Sequence, residues 1–317
     1  MKLSIIIPSY NLQSYIAECI KSVCLQDVNF EYEILVSDDA SSDDSVDIIK
    51  RCVAEHPTLI KATYKTINKG LANNISTLLR QVKGEYIAYM DGDDIALPGK
   101  LQAQVDYLDK TPECSMVYHE SDMFDSDSGK HIRWYSKEYY NWPYIPEKST
   151  PEHIAQYGTF MQASSVMMRN HSNVDQSVDT RCQIIFDFPF YLYNLLFLGG
   201  TADFIDVCYG KYRIHNDSFG SQTAKSVKRR EQCLEDLEQA IEYAVKLGLP
   251  EITANKSAYH YRLATSYYFL KRHDYSRFAK FVNISSDGNY FLDERHKFAY
   301  DNQHNPETVT HYLGFIK

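Results

Sequence analysis

Tyr86-Ile87-Ala88-Tyr89-Met90-Asp91-Gly92-Asp93-Asp94 is the stretch on which the reading of this chain turns. A short apolar run stops abruptly at three carboxylates within four positions. A run of that length, bounded by polar residues, suits a buried strand. The carboxylates then stand at the strand's carboxyl tip. Close carboxylates repel one another, and a hard divalent cation relieves the repulsion because it prefers carboxylate and phosphate oxygens. The competing explanation is a solvated acidic turn ahead of the helix that Pro98 opens.

Working outward, the same pattern repeats. Leu3 to Ile7, Tyr32 to Val36, Leu59 to Tyr64 and Ser115 to Tyr118 have strand character. Between them Ser14 to Leu25, the Val46-Ile49-Val53 series and Leu71 to Val82 carry helical spacing. Strands alternating with helices predict an α/β fold, a mostly parallel central sheet flanked by helices. In such sheets ligands lie beyond the carboxyl ends of the strands. Polar clusters fall at those ends: Pro8 to Asn11, Asp38-Asp39, Asn68 to Gly70, and Asp91 to Asp94. Tyr10 can lay its ring over a base, and Asp38 and Asp39 can accept from a base N–H. Asp43, Asp44 and Ser45 suit a helix start. Further on, Phe124 to Thr159 reads as an aromatic excursion over the acceptor side, and specificity residues are expected between Phe124 and Gln162. Gln162 to Arg169, Ala202 to Val207 and Tyr209 to Ile214 read as strands, and Phe186 to Leu198 as a helix with Pro189 in its first turn. From Ser226 onward the pattern is helical, with breaks at Gly248 and Pro250.

The composition is that of a globular protein, 44% hydrophobic and 24% charged. A net charge of -9 argues against nucleic-acid binding, which rests on Lys and Arg neutralising phosphates. It leaves phosphate-bearing small molecules open, since a metal can supply positive charge. The seven cysteines are scattered and form no Cys-x-x-Cys pair, so a reducing cytoplasm is expected. No leader pattern precedes the first strand, and Phe186 to Leu198 is too short to span a bilayer. Peripheral contact with the inner face of the membrane stays open, and Lys225, Lys228, Arg229 and Arg230 form a basic cluster suited to it. The blander account of that cluster is a solvated helix face.

SIIIPSYN (Ser4 to Asn11), the DDASSDDS run from Asp38, NKGLANN (Asn68 to Asn74) and YMDGDDIALPGKL (Tyr89 to Leu101) stand in the order and spacing of glycosyltransferase family 2. The chain resembles that family over residues 3–220. The resemblance implies the GT-A fold and an inverting transfer from a nucleotide diphosphate sugar, with Mn²⁺ or Mg²⁺ as cofactor. Residues 1–222 would form the catalytic domain, with 1–120 the nucleotide-sugar-binding half and 121–222 the acceptor-side half. Residues 223–317 would form a helical extension. Carried across, Pro8, Tyr10, Asp39, Asn68, Asp91 and Arg213 are donor-binding residues, and Asp91, Asp93 and His215 are metal ligands. Arg213 and His215 sit in YRIHNDS (Tyr212 to Ser218), which resembles the family's Tyr-Arg-x-His segment. By the same resemblance Asp187 is the expected catalytic base, the blander account being an Asp that caps a helix start. Here the sequence departs from the family, because the acidic pair expected at this point is Phe186-Asp187. The two flanking phenylalanines can desolvate Asp187 and raise its pKa. A saccharide or lipid-linked saccharide acceptor in cell-surface polysaccharide synthesis follows from the resemblance; the motifs do not specify the donor base, for which a uridine diphosphate sugar is the expectation. Two rivals remain at this point: a non-catalytic partner that keeps the donor pocket, and a phosphohydrolase of the haloacid dehalogenase type.

Overall fold

Leu3–Ser9 forms the first strand, β1, and its alternation sets the layering. In the computed structural model, which describes residues 1–140, 142–215, 223 and 225–315, β1 lies between β2 (Tyr32–Asp38) and β4 (Tyr86–Tyr89) and is parallel to both. β3 (Ile60–Tyr64) continues the parallel set beyond β2. Successive side chains of a strand point to opposite faces. Ile5, Ile7, Ile34, Val36 and Ala88 therefore share one core with α1 (Ile16–Cys24), α2 (Ser45–Glu55) and α4 (Lys100–Lys110). Ile6, Leu35, Ile87 and Tyr89 share the other with α3 (Leu71–Leu79) and α6 (Asp187–Leu198).

The second half of the sheet differs from the sequence reading in three places. The expected Ser115 to Tyr118 strand is the start of a longer one, β6 (Cys114–Asp125). The two strands expected between Ala202 and Ile214 are one bent strand, β10 (Thr201–Ile214), parallel to β6, with register shifts around Cys208. Such irregularities let a strand bend without ending. The Gln162 to Arg169 strand shrinks to β9 (Met167–Arg169), antiparallel between β4 and β6. Its first part, Ala163–Ser165, is a 3₁₀ turn, because Ser164 and Ser165 bond into the neighbouring loop and turn rather than into a ladder. A two-residue strand, β5 (Ile95–Ala96), follows the acidic cluster and pairs with Gly210 and Lys211 of β10. That pairing ties the end of β10 to the acidic loop.

The 124–159 excursion contains β7 (His131–Trp134), β8 (Lys148–Ser149) and α5 (Pro151–Tyr157). The C-terminal part is helical as expected: α7 (Val227–Lys246), α8 (Glu251–Leu270), α9 (Tyr275–Asn283), α10 (Glu294–Asp301) and α11 (Pro306–Tyr312). α7 packs on α6, and α8 on α5. Leu234, Ile241, Phe269 and Phe278 join the same core as Phe188, Tyr191 and Leu195 of α6. No helix among the described residues is long and apolar enough to cross a membrane. The boundary expected at residue 222 and the Asn216 to Ser218 part of the YRIHNDS match lie outside the described residues.

Candidate active site

The three carboxylates at the end of β4 have three different environments. Asp94 is fully buried and accepts hydrogen bonds from Gln162 Nε2 (2.7 Å), Ser164 Oγ (2.6 Å) and the Arg213 backbone N–H (2.9 Å). It is the anchor of the loop. Burial, with Asp93 and Asp91 beside it, pushes its carboxyl well above the usual range. Asp91 is partly exposed and accepts from the Tyr89 hydroxyl at 2.7 Å, while its backbone N–H donates to Ser164 Oγ. Burial and then the charge of Asp93 raise its pKa to about 7, and Asp187 pushes in the same direction. Asp93 keeps a partly exposed carboxylate, with Oδ2 3.1 Å from His215 Nε2. Gly92 lets this loop lie close under β1 and α1. A Cβ there would stand 2.8 Å from Leu12 Cδ1 and 2.9 Å from Ile16 Cδ1.

β10 delivers Arg213 and His215 to the same place. The Arg213 guanidinium is buried, donates to the Asp93 carbonyl from Nε at 2.7 Å and pairs with Glu18 of α1. It lies 4.9 Å from the Tyr15 ring and 4.7 Å from that of Phe124. His215 also packs on Tyr15, with ring centroids 4.8 Å apart.

Along the rim, Pro8 is buried in β1 and Tyr10 projects with about half its surface exposed, 49%. Asp38 is sealed by Ser9 and Ser41, which corrects the expectation that it offers a free carboxylate to a base. Asp39 is also buried. It accepts from the backbone N–H groups of Lys69 and Gly70 and pairs with Lys65 at 3.2 Å. Asn68 is exposed, and its side chain closes the turn by accepting from Gly70 N–H at 3.0 Å. The loop of NKGLANN is thus held by a carboxylate that stands just past the end of β2.

Asp187 begins α6, and its Oδ1 accepts from the Phe188 N–H at 3.0 Å. That bond favours the charged form, but burial outweighs it and the carboxyl is pushed up. The direction agrees with that expected from Phe186 and Phe188. Asp187 opens into a cavity of about 590 Å³ that is otherwise walled by Tyr139, Tyr140 and Tyr157 to Thr159 and by residues of α7 and α8. Sequence reasoning missed Gln162 and Ser164 as supports of the acidic loop, Glu18 as partner of Arg213, and the contribution of the C-terminal helices to this cavity. None of these has a local signature: Gln162, Ser164 and Glu18 act through partners at least 68 positions away, and the cavity residues of α7 and α8 meet Asp187 only through the packing of the helices.

The profile of the Glycosyl transferase family 2 matches residues 4–176, more than half of the chain. The chain belongs to this family. Among relatives of this family 2 chain, Rv1520 of Mycobacterium tuberculosis is 29% identical over 214 residues, 67% of this chain. The chain spans 59% of that relative's length. The putative teichuronic acid biosynthesis glycosyltransferase TuaG of Bacillus subtilis is 26% identical over 227 residues, covering 71% of this chain and 84% of TuaG. Among solved structures, S. aureus TarS 1-349 in complex with UDP-GlcNAc superimposes with a TM-score of 0.66 at 15% identity, over 99% of this chain and 92% of TarS. The mannosyltransferase PcManGT of Pyrobaculum calidifontis, in complex with GDP-Man and Mn²⁺, gives a TM-score of 0.61 at 17% identity, over 98% and 86% of the two chains. At such identities the likeness concerns the fold, and it is the GT-A-like arrangement that the resemblance implied. The phosphohydrolase rival falls with the family assignment.

Proposed function

We propose that this family 2 glycosyltransferase moves a sugar, with inversion, from a uridine diphosphate donor to a saccharide or lipid-linked saccharide acceptor in cell-surface polysaccharide synthesis. One observation carries the reading. A loop held rigid by Asp94 presents Asp91 and Asp93 beside His215, and Asp187 stands near enough to add its charge to theirs. The TuaG relationship supports the polysaccharide assignment, and the TarS likeness supports the choice of uridine.

The donor set suits a hard divalent cation. Asp91 is held near pKa 7 by burial and a neighbouring carboxylate, a repulsion that positive charge relieves. Among the described residues no group of three His, Cys, Asp or Glu side chains is placed to hold an ion by itself, so the set would be completed only with donor phosphate oxygens. Asp91, Asp93 and His215 would hold Mn²⁺ or Mg²⁺, which neutralises charge gathering on the leaving diphosphate. Pro8, Tyr10, Asp39 and Asn68 would receive the nucleoside, Asp39 acting largely by fixing the Lys69–Gly70 backbone. Arg213 would serve the donor by holding the Asp93 carbonyl, and a phosphate oxygen would have to compete with Glu18 for its fork. Asp187 would take the proton from the acceptor hydroxyl. The oxygen forms its bond to the anomeric carbon from the face opposite the diphosphate, whose bond to that carbon breaks. Residues 1–222 would carry this chemistry, and 223–317 would complete the acceptor side.

Thermal melting against UDP, GDP, CDP and dTDP, each with and without Mn²⁺, tests the reading. A ligand that binds only the folded state at 100 times its Kd adds about 2.7 kcal/mol of stability. A metal-dependent rise with UDP alone is the expected result. No rise with any nucleotide in a folded sample would remove the donor assignment.

A further inference from the structure

Arg230 and Lys271 are the cations that line the cavity at Asp187, and among the described residues Arg230 forms no ion pair with a carboxylate. Arg230 of α7 lines it, and Arg230 Nε is shut off from solvent with no hydrogen-bond partner. The ionisable groups around its guanidinium are Cys233 and the phenols of Tyr140, Tyr268 and Tyr139, with no carboxylate of the described residues among its ion pairs. Its visible compensation is the Tyr268 ring at 5.7 Å, a contact worth about 0.5–1 kcal/mol. Arg230 as a whole is half-buried, but a guanidinium with an enclosed, unpaired nitrogen normally has an anion beside it, because leaving such a charge unpaired is costly. A second orphan shares the lining: His260 Nδ1 of α8 is also buried without a partner. Burial lowers that imidazole to about 4, so near neutrality it is a neutral group able to meet a hydroxyl or an oxyanion. Tyr139, Tyr157 and Tyr261 supply flat faces between these polar points, suited to sugar rings.

We propose that this cavity takes an acceptor saccharide bearing an anionic group, a carboxylate or a phosphate, whose oxygens pair with Arg230 while the hydroxyl to be glycosylated meets Asp187. The inference rests on the glycosyltransferase reading and adds to it the chemical class of the acceptor. A guanidinium offers two parallel N–H groups to either oxyanion, which a lysine ammonium does not. The protein alone is then left with an unanswered charge that the correct acceptor neutralises. A neutral sugar would leave Arg230 as it is, so the site discriminates against it.

The test is calorimetric titration of the full chain, preloaded with UDP and Mn²⁺, with three probes. They are a disaccharide ending in glucuronate, its neutral glucose counterpart, and a glycerol phosphate oligomer. At least one charged probe should bind about tenfold or more tightly than the neutral one. Which charged probe wins separates the carboxylate from the phosphate source. Arg230→Met should erase the preference while leaving UDP binding unchanged, and Arg230→Lys should restore part of it. If Arg230→Met does not fold, the wild-type chain still decides, because affinity for the charged probe should fall as salt rises to about 0.5 M and that for the neutral probe should not. Equal binding of all three probes, failure of both charged probes to bind, or a preference that survives Arg230→Met would overturn the proposal. So would weakened UDP binding in a folded Arg230→Met, since the cation would then belong to the donor. Absence of UDP binding by the wild-type chain would instead remove the glycosyltransferase reading beneath it.

Discussion

Asp93 and Asp94 are neighbours with opposite duties. Removing the Asp94 side chain strands the donors of Gln162, Ser164 and Arg213, at about 1–3 kcal/mol for a buried group left unsatisfied. Asp94→Ala should therefore lower the denaturant midpoint clearly. Asp93→Ala should leave that midpoint nearly in place and abolish the Mn²⁺-dependent part of nucleotide binding, as titration with and without metal would show. Asp187→Asn should cut transfer by about 10²- to 10⁴-fold, the usual weight of a general base, with nucleotide affinity retained. Its raised pKa fixes two signs. The base must be ionised, so kcat/KM should rise with pH along a limb above the ordinary aspartate value of about 3.9. A folded pKa above the unfolded one also means that the native state binds the proton more tightly, so this group's contribution to stability falls as pH rises between the two values. Asp187→Asn should accordingly melt at or above the wild-type temperature at neutral pH, and a lower melting point would contradict the desolvated placement. Tyr89 to Asp94 announced an acidic strand tip in the sequence. The division of labour among the three acids was hidden, since burial of a carboxylate depends on Gln162 and Ser164, which are remote along the chain.

At the scale of elements, the acidic loop works because three segments converge on it: β1 with α1 beneath, the 3₁₀ turn at Ala163–Ser165, and the end of β10. Gly92 is where the first of these comes closest. Gly92→Ala drives a methyl group into Leu12 and Ile16, an overpacking that typically costs about 1–3 kcal/mol. We expect a lower melting temperature together with weaker metal-dependent UDP binding, because the clash lifts the loop that carries Asp91 and Asp93. Unchanged binding would show that the loop tolerates displacement. From β1 to α4, all but the two-residue β5 could be read from the chain, because the strands are short apolar runs and the helices carry apolar residues at a spacing near four. β10 could not be read as one strand, since its irregular register around Cys208 breaks the alternation. The turn before β9 was hidden for a different reason. SSVMMR has strand character, but the hydroxyls of Ser164 and Ser165 find better partners outside a ladder.

The whole molecule is tied together by a core that runs from the sheet through α6 into the C-terminal helices. Leu234, Ile241, Phe269 and Phe278 are buried against it, and each such side chain contributes about 1.5–3 kcal/mol. Scanning calorimetry of the full chain should show one transition, and residues 1–222 alone should not melt cooperatively. Two separated transitions would mean that the helical part folds by itself. Its helical character was plain from spacing and breaks. That α7 and α8 would turn Arg230 and His260 toward the cavity of Asp187 was not, because a helix pattern states which face is apolar and not which neighbour that face will meet.

The lining of that cavity comes from separate parts of the chain. Asp187 and Phe188 stand on α6, Tyr139, Tyr140 and Tyr157 to Thr159 on the stretch before it, and Arg230, Cys233, Leu237, His260, Tyr261 and Ala264 on α7 and α8, where no residue is proposed for the donor. A designer seeking a new product can therefore redraw the helical wall and keep the activated sugar, much as a lathe keeps its drive when the chuck is changed.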